Sequence, residues 1–444
     1  MNPSVVKHLV WPVHELLLRR PTRRYLQQLE ASQWWSRQRL HDLQEQKLRR
    51  LLQHAQMHCP FYARRLHDAG IEPLRFRLDD LARIPTLTKD EIAANGPDLR
   101  SARAGRLVAT CTGGSTGAPL QFWICRRRQA SDQAARARTR RWFGIDVGQR
   151  ELYLWGSPLE NKAHDRVRAI RDRLTNQHLL DAFNMTPARM LEYLSLIRRF
   201  DPVHLFAYPS SLARLIRFAA ESGQRFEAPS LRAVFVTGEV FDREDRAVIE
   251  EFVSVPVADG YGSREGGFVA HQCPVGNYHV TMESHVVELL DTEGRAVRAG
   301  ETGEITLTHL DALGMPFLRY RTGDLARFTD AHCPCGRGLM LLQGIEGRRT
   351  DMLRTTAGGL AHGLSVVYVL RESAAVREFR VVQSANCDLD VAIVPRGSLS
   401  ETQIEQMARQ MRRRIGERAD VRIRLVDHIP PDPSGKHRHV VSSS

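Results

Sequence analysis

From about residue 105 the chain breaks into short apolar runs: LVATCTGG, LQFWI, ELYLWGS, PVHLFAYP, LRAVFVTGE and PVADGYGS. Stretches with helical spacing separate them, and most of the runs stop at Gly, Ser or Pro. Strand-length runs alternating with helical stretches specify an α/β fold, with strands that are largely parallel. In such sheets ligands bind beyond the carboxyl ends of the strands. The Gly, Ser and Thr clusters of this chain fall at those ends.

The flanking regions read differently. Residues 1–100 are expected to form a mainly helical part of the large domain. WWSRQRLHDLQEQKLRRLLQHAQMHCPFYARRL (34–66) carries apolar residues at three- and four-residue spacing, interrupted at Pro60. Thr88, ahead of Asp90 and Glu91, is a helix N-cap candidate. Residues 101–346 are expected to form the ligand-binding α/β core. Within it, YHVTMESHVVELLD, GEITLTHL and LARFTD predict a strand-rich antiparallel subdomain. The polar EGRRTDML reads as a connector, with a hinge region at 347–351. VREFRVVQ, DLDVAIVP, the helical TQIEQMARQMRRRIG and VRIRLVDHIP then predict a small α+β domain, 352–444.

A chain of 444 residues that is 42% hydrophobic and 26% charged is a soluble globular protein of more than one domain. Its net charge of +13 favours polyanionic partners such as polyphosphate cofactors. Much of that charge is arginine, as in RRRQASDQAARARTRRW (126–142), which reads as a solvated helix face. Neither an RNP motif, a helix-turn-helix nor a paired zinc finger supports a nucleic-acid partner. No apolar run reaches the ~18–20 residues that span a bilayer. The N-terminal MNPSVVKHLVWPVHELLLRRP, broken by Lys, His and Pro, reads as a packed amphipathic helix rather than a secretory signal. The cytoplasm is the expected compartment.

Seven cysteines at uneven spacing do not form a disulfide framework. HQCPVGNYHV (271–280) and HCPCGR (332–337) instead bring thiols and imidazoles from two segments, as structural Zn²⁺ requires. Cys273, Cys333 and Cys335 are natural ligands; the fourth is one of His279, His271 or His332.

CTGGSTGAPL (111–120) lacks the lysine of an NTPase phosphate loop, yet its glycines and hydroxyls suit an anion. It is followed in order by YGSRE (261–265), RYRTGD (319–324), GRRTD (347–351) and PSGK (433–436). This ordered set resembles that of the adenylate-forming ligases, the acyl-CoA synthetase superfamily, over about residues 35–444. YGSRE, CPCGR and the PSGK ending are most similar to the phenylacetate-CoA ligase-like branch found among capsular polysaccharide biosynthesis proteins.

The resemblance implies ATP-dependent activation of a carboxylic acid as an acyl-adenylate, then transfer to an acceptor. CoA is the expected acceptor; a sugar or carrier protein in polysaccharide biosynthesis is the alternative. Thr112, Gly113, Gly114, Ser115, Thr116 and Gly117 would wrap the outer phosphates. Gly238 and Glu239 would lie beside the adenine, Tyr261 would stack on it, and Gly262 and Ser263 would complete that turn. Glu265 would hold Mg²⁺, Asp324 both ribose hydroxyls, and Arg348 the phosphate or ribose. Lys436 would bridge the carboxylate and the α-phosphate. Arg264 stands where the superfamily has Thr or Ser, and Thr350 precedes Asp351 at the hinge, where the acidic residue usually comes first. Trp155, Phe206 and Tyr208 would shape an apolar acyl pocket. Cys-x5-His followed by Cys-x-Cys is also similar to that branch, which selects His279 as the fourth zinc ligand.

Overall fold

The apolar runs of the middle region become strands in the computed structural model. The structure describes residues 1–444 except 112–119, 157–164, 183–184, 242, 349–351, 357–359, 363–365, 367–368, 371–372, 374, 431–439 and 443–444. The chain divides into two compact units, Met1–Glu346 and Gly347–Ser444.

β1 (Leu107–Cys111) and β2 (Gln121–Cys125) pair with each other as an antiparallel hairpin. Two of the six apolar runs therefore stay out of the parallel sheet. The link between them is shorter than the roughly dozen residues that a parallel crossover needs. The other four become β3 (Glu151–Trp155), β5 (His204–Ala207), β6 (Ala233–Thr237) and β7 (Val257–Ser263), and β4 (Gln177–Asp181) joins them. All are parallel, in the order β7-β6-β5-β3-β4. The helices Asp165–Leu174, Pro187–Phe200, Pro209–Glu221 and Arg243–Phe252 connect them. β6 is almost wholly buried, as a strand covered on both faces must be.

The chain then reverses. β8 (Gly267–Gln272) runs antiparallel to β7 across the turn at 264–266. β9 (Tyr278–Val280), β10 (His285–Leu290), β11 (Thr302–His309), β12 (Tyr320–Thr329) and β13 (Leu341–Arg348) follow. These strands extend the same sheet instead of forming one of their own. Among the described residues it has eleven strands, ordered β10-β11-β12-β13-β9-β8-β7-β6-β5-β3-β4.

The helical N-terminal part is as the spacing predicts. Helix Arg37–His58 ends before Pro60, at Cys59, which adopts an extended backbone; helix Pro60–Asp68 follows. Thr88 caps helix Lys89–Ala94 with Glu91 completing the capping box. Leu40, Leu48, Leu51 and Leu52 are fully buried in the core that also holds Phe317 and Tyr320. The first helical residues dock through Val6, Trp11 and the buried Glu15, yet Leu16 and Leu17 stay 76% and 77% exposed. No described helix is long and apolar enough to cross a membrane.

The arginine run corrects the reading of a solvated face. Helix Arg126–Arg141 buries Ala130, Ser131, Ala134, Ala135 and Arg138 along one side, and Arg128 and Thr139 as well. Small residues at three- and four-residue intervals let it approach helix Thr22–Ser32 closely. Its guanidiniums meet carboxylates: Arg138 donates to Glu283 at 2.7 Å, Arg128 faces Asp132, and Arg136 and Arg140 both reach Glu151.

In the second unit, β14 (Met352–Arg354) pairs with β15 (Leu360–His362). β16 (Val376–Gln383), β17 (Leu389–Pro395), β18 (Val421–Leu425) and β19 (Val440–Ser442) form a sheet in the order β18-β17-β16-β19. Helix Glu401–Ile415 is capped by Ser400 with Gln403, and shares a core with Val381, Val391 and Ile393.

Candidate active site

The carboxyl ends of β3, β5, β6 and β7 bring together residues that lie far apart in sequence. Trp155 ends β3, and its ring stacks on Tyr208, just past β5, with centroids 3.9 Å apart and planes 14° off parallel. Phe206 meets the same Trp155 ring at 5.2 Å. Gly238, just after β6, has φ +84°, and a Cβ there would lie 2.9 Å from the Tyr208 ring. Glycine is needed at that position both for the left-handed backbone and for the close approach. The next residue, Glu239, accepts a 2.5 Å hydrogen bond from the Ser210 hydroxyl.

β7 carries the tyrosine of YGSRE into contact with the RTGD motif. The Tyr261 hydroxyl donates to Asp324 Oδ2 at 2.8 Å and lies 3.4 Å from Thr322 Oγ1. Gly262 sits so close to Gly267 that a Cβ would fall 2.5 Å from the Gly267 carbonyl oxygen. Ser263 Oγ accepts from the Gly266 amide at 2.8 Å, closing the turn. Within that turn Glu265 is half-buried and Arg264 is exposed. Arg264 Nη1 donates to the Cys111 carbonyl at 2.9 Å, which joins the turn to the last described residue before the GGSTG loop.

Thr112, Gly113, Gly114, Ser115, Thr116 and Gly117 lie outside the described residues, as do Lys436, Thr350 and Asp351. Arg348 ends β13, and its side chain is likewise outside them.

The second predicted site is assembled by the antiparallel part of the sheet. Cys273 follows β8 in a tight turn in which Gly276 donates back to its carbonyl at 2.8 Å. His279 lies in β9, and a similar turn from Cys333 to Gly336 presents Cys333 and Cys335. One donor atom from each of Cys273, His279, Cys333 and Cys335 lies within 4.8 Å of all the others. Cys273 Sγ and Cys333 Sγ are 3.7 Å apart, and Cys335 Sγ is 3.3 Å from His279 Nε2. A tetrahedral Zn²⁺ with Zn–S bonds of about 2.3 Å requires sulfurs about 3.8 Å apart, and about 3.5 Å between sulfur and nitrogen. The donor set fits that ion. His271, an alternative fourth ligand, instead turns Nδ1 to the Gln272 carbonyl at 2.9 Å. Burial holds the His279 imidazole down at about 3, the neutral form that ligates. Burial would raise the Cys335 thiol, yet hydrogen bonds around Arg337 bring it below its ordinary value. All seven cysteines are free thiols.

One cluster escaped the sequence reading. Asp132, on the Arg126–Arg141 helix, meets His285 of β10 and His309 of β11. Asp132 was hidden inside an arginine run that reads as solvated, and both histidines sit in ordinary apolar strands. The alanines of the run were the one signal that this helix face is packed.

Comparison with known proteins finds the same fold in solved CoA ligases. The fold matches that of a 2-hydroxyisobutyryl-CoA ligase solved in its postadenylation state with an acyl-AMP. The TM-score is 0.72 at 22% identity, covering 90% of this chain and 89% of the ligase. Relatives by sequence include protein CapK of Staphylococcus aureus, 21% identical over 91% of this chain and 89% of that protein. The phenylacetate-coenzyme A ligase of Thermus thermophilus is 28% identical over 71% of this chain and 72% of its own length. Residues 353–443 match the family model of the CapK C-terminal domain. The chain is thus a homologue of CapK and the phenylacetate-CoA ligases, with the fold of adenylate-forming enzymes.

Proposed function

We propose that this protein is an AMP-forming acid–thiol ligase: it activates a carboxylic acid with ATP and passes the acyl group to CoA. The observation that carries this reading is the meeting of Tyr261 with Asp324, beside an Arg264 that reaches the entrance of the GGSTG loop. Two motifs read separately in the sequence, YGSRE and RTGD, meet there, and Arg264 of the first reaches Cys111, which leads towards a third, in a fold shared with acyl-CoA ligases.

In the first half-reaction a carboxylate oxygen attacks the α-phosphorus of ATP, and pyrophosphate leaves. In the second, the acceptor thiol gives up its proton and attacks the acyl carbonyl, and AMP leaves. Both anions of the first step must be held together, so donors and cations dominate the design. Thr112 to Gly117 supply backbone amides and hydroxyls to the departing pyrophosphate. Asp324 accepts from the ribose diol, while its bond to Tyr261 fixes the carboxylate. Gly238, Glu239 and Tyr261 border the adenine. Arg264 donates to the α-phosphate, and Arg348 to phosphate or ribose. Lys436 arrives as a point charge between carboxylate and α-phosphate, on a small domain that turns about residues 347–351. Glu265 would hold Mg²⁺, which neutralises polyphosphate charge when bound. Trp155, Phe206 and Tyr208 border the acyl group. Cys273, His279, Cys333 and Cys335 would hold a structural Zn²⁺ that pins the strand-rich part of the sheet. Seven free thiols suit a cytoplasmic protein.

A second acceptor reading rests on a specific observation. The CapK match spans more of the chain than the phenylacetate-CoA ligase match, and the small unit is of the CapK type. That favours acyl or aminoacyl transfer to a sugar or carrier in capsular polysaccharide biosynthesis as the alternative to CoA.

ATP–pyrophosphate exchange with a panel of carboxylic acids tests the reading. Exchange with at least one acid is expected, and exchange with none refutes it. Lys436→Ala should abolish exchange in a folded protein. With the active acid, a CoA-dependent thioester seen by mass spectrometry separates the two acceptors.

A further inference from the structure

The turn that carries Arg264 and Glu265 is held through its backbone by side chains from other elements, of which Arg128 and His285 are buried and Asp132 is half-buried. Three of its backbone atoms are taken by side chains from other elements. Arg128 Nη2 donates to the Arg264 carbonyl at 2.6 Å. His285 Nε2 donates to the Gly266 carbonyl at 2.8 Å. The Phe268 amide donates to Asp132 Oδ1 at 3.1 Å. Gly267 has φ +82°, and a Cβ there would fall 2.5 Å from that same Asp132 oxygen, so the carboxylate lies directly against the turn.

Asp132 is in turn held by its neighbours. His309 Nε2 lies 3.2 Å from Asp132 Oδ1, and Arg128 Nε is 3.7 Å from Oδ2. His309 Nδ1 accepts from the Asp311 amide at 3.2 Å, so its proton sits on Nε2 and points at the carboxylate. The two imidazoles pack with centroids 4.3 Å apart, both essentially out of solvent. Burial alone would raise the Asp132 carboxyl, but His309, Arg128 and His285 outweigh it and hold it at about 2. Two histidines and an aspartate resemble a metal set. Here, however, both nitrogens of His309 and Nε2 of His285 are committed to hydrogen bonds, and the bonds converge on one turn.

We propose that Asp132, His285 and His309 are positioning residues that fix the 264–268 backbone, and so aim Arg264 and Glu265. The inference rests on the ligase reading for the roles of those two side chains. A loosened turn would leave ATP binding largely intact, because the adenine and ribose contacts lie elsewhere. It would misplace the charges that meet the reacting phosphate. A displacement of about 1 Å at such groups costs up to ~100-fold in rate.

The test compares wild type, Asp132→Ala, Asp132→Asn and His285→Ala by ATP–pyrophosphate exchange and by amide hydrogen exchange over 262–270. Asp132→Ala is expected to lower kcat about 10- to 100-fold with KM for ATP changed less than about threefold. Asp132→Asn keeps an oxygen for the Phe268 amide and should recover part of that loss. Both alanine variants should lose protection at the turn while the rest of the fold keeps its own. Unchanged protection in the alanine variants overturns the network. So does a loosened turn with wild-type kcat, or a defect confined to KM. If wild type exchanges with no acid, the ligase reading alone fails, and turn protection still decides whether the network holds this backbone.

Discussion

Replacing Arg138 with methionine isolates what a buried guanidinium does in this fold. The side chain is fully buried, its Nη1 donates to Glu283 Oε1 at 2.7 Å, and the Glu283 side chain is only 6% exposed. Ser32 Oγ also donates to Glu283, at 2.6 Å, so one hydrogen bond survives the change. Methionine keeps the aliphatic stem and removes the charge. Glu283 is then a buried carboxylate without its counter-ion, a loss of about 3–5 kcal/mol. Unfolding entropy near 2.1 cal/mol/K per residue, over the unit Met1–Glu346, gives about 0.7 kcal/mol per degree. The expected fall in Tm is therefore about 4–7 °C by calorimetry. Arg138→Met with Glu283→Gln removes both charges, and Gln can still accept from Ser32. It should recover at least half of the loss. A single variant within about 1 °C of wild type, or a double variant no better than the single, would refute the claim that charge burial sets the cost.

Other outcomes follow from the same geometry. Purified protein should carry about one zinc per chain, and Cys333→Ser should lower that below about half, while Cys387→Ser, in the other unit, leaves it unchanged; equal metal content in all three counts against the site. Burial raises the Asp259 carboxyl to about 7, so the native state holds a proton that the unfolded chain releases near its ordinary value. Stability from this group is present below that ordinary value and is lost as pH rises towards 7, so denaturant midpoints should fall across that window, and fall less in Asp259→Asn; parallel profiles would contradict this. Gly238→Ala forces a left-handed alanine against the Tyr208 ring at 2.9 Å and Trp155 at 3.1 Å, and should destabilise by about 1–3 kcal/mol in urea titration. An unchanged midpoint would mean that the ring pair yields.

Much of the fold and part of the site were legible because they rest on local physics. Strand-length apolar runs closing on Gly, Ser or Pro predicted β3, β5, β6 and β7, and the residues of the candidate site gather at their carboxyl ends. Thr88 declared its helix by the capping box, and Pro60 the break in another. Cys273, Cys333 and Cys335 were chosen by chemistry, since few groups other than a soft metal ion call for such thiols together, whereas His279 was selected from three histidines only by the family resemblance. What the sequence could not contain was the choice of neighbours. β1 and β2 look like the other strands, and only the short link between them turned them into a separate hairpin. The antiparallel strands looked like a subdomain, yet β8 hydrogen-bonds along β7 and makes one sheet of both halves. The arginines of 126–141 looked solvated because charge normally is. Their carboxylate partners lie outside the helix, Glu151 on the next strand and Glu283 far along the chain, and burying charge is tolerable only once tertiary structure supplies the counter-charge. Asp132, His285 and His309 belong to the same class. Each is ordinary in its own segment, and acquires a role only where helix and sheet bring the three against one turn.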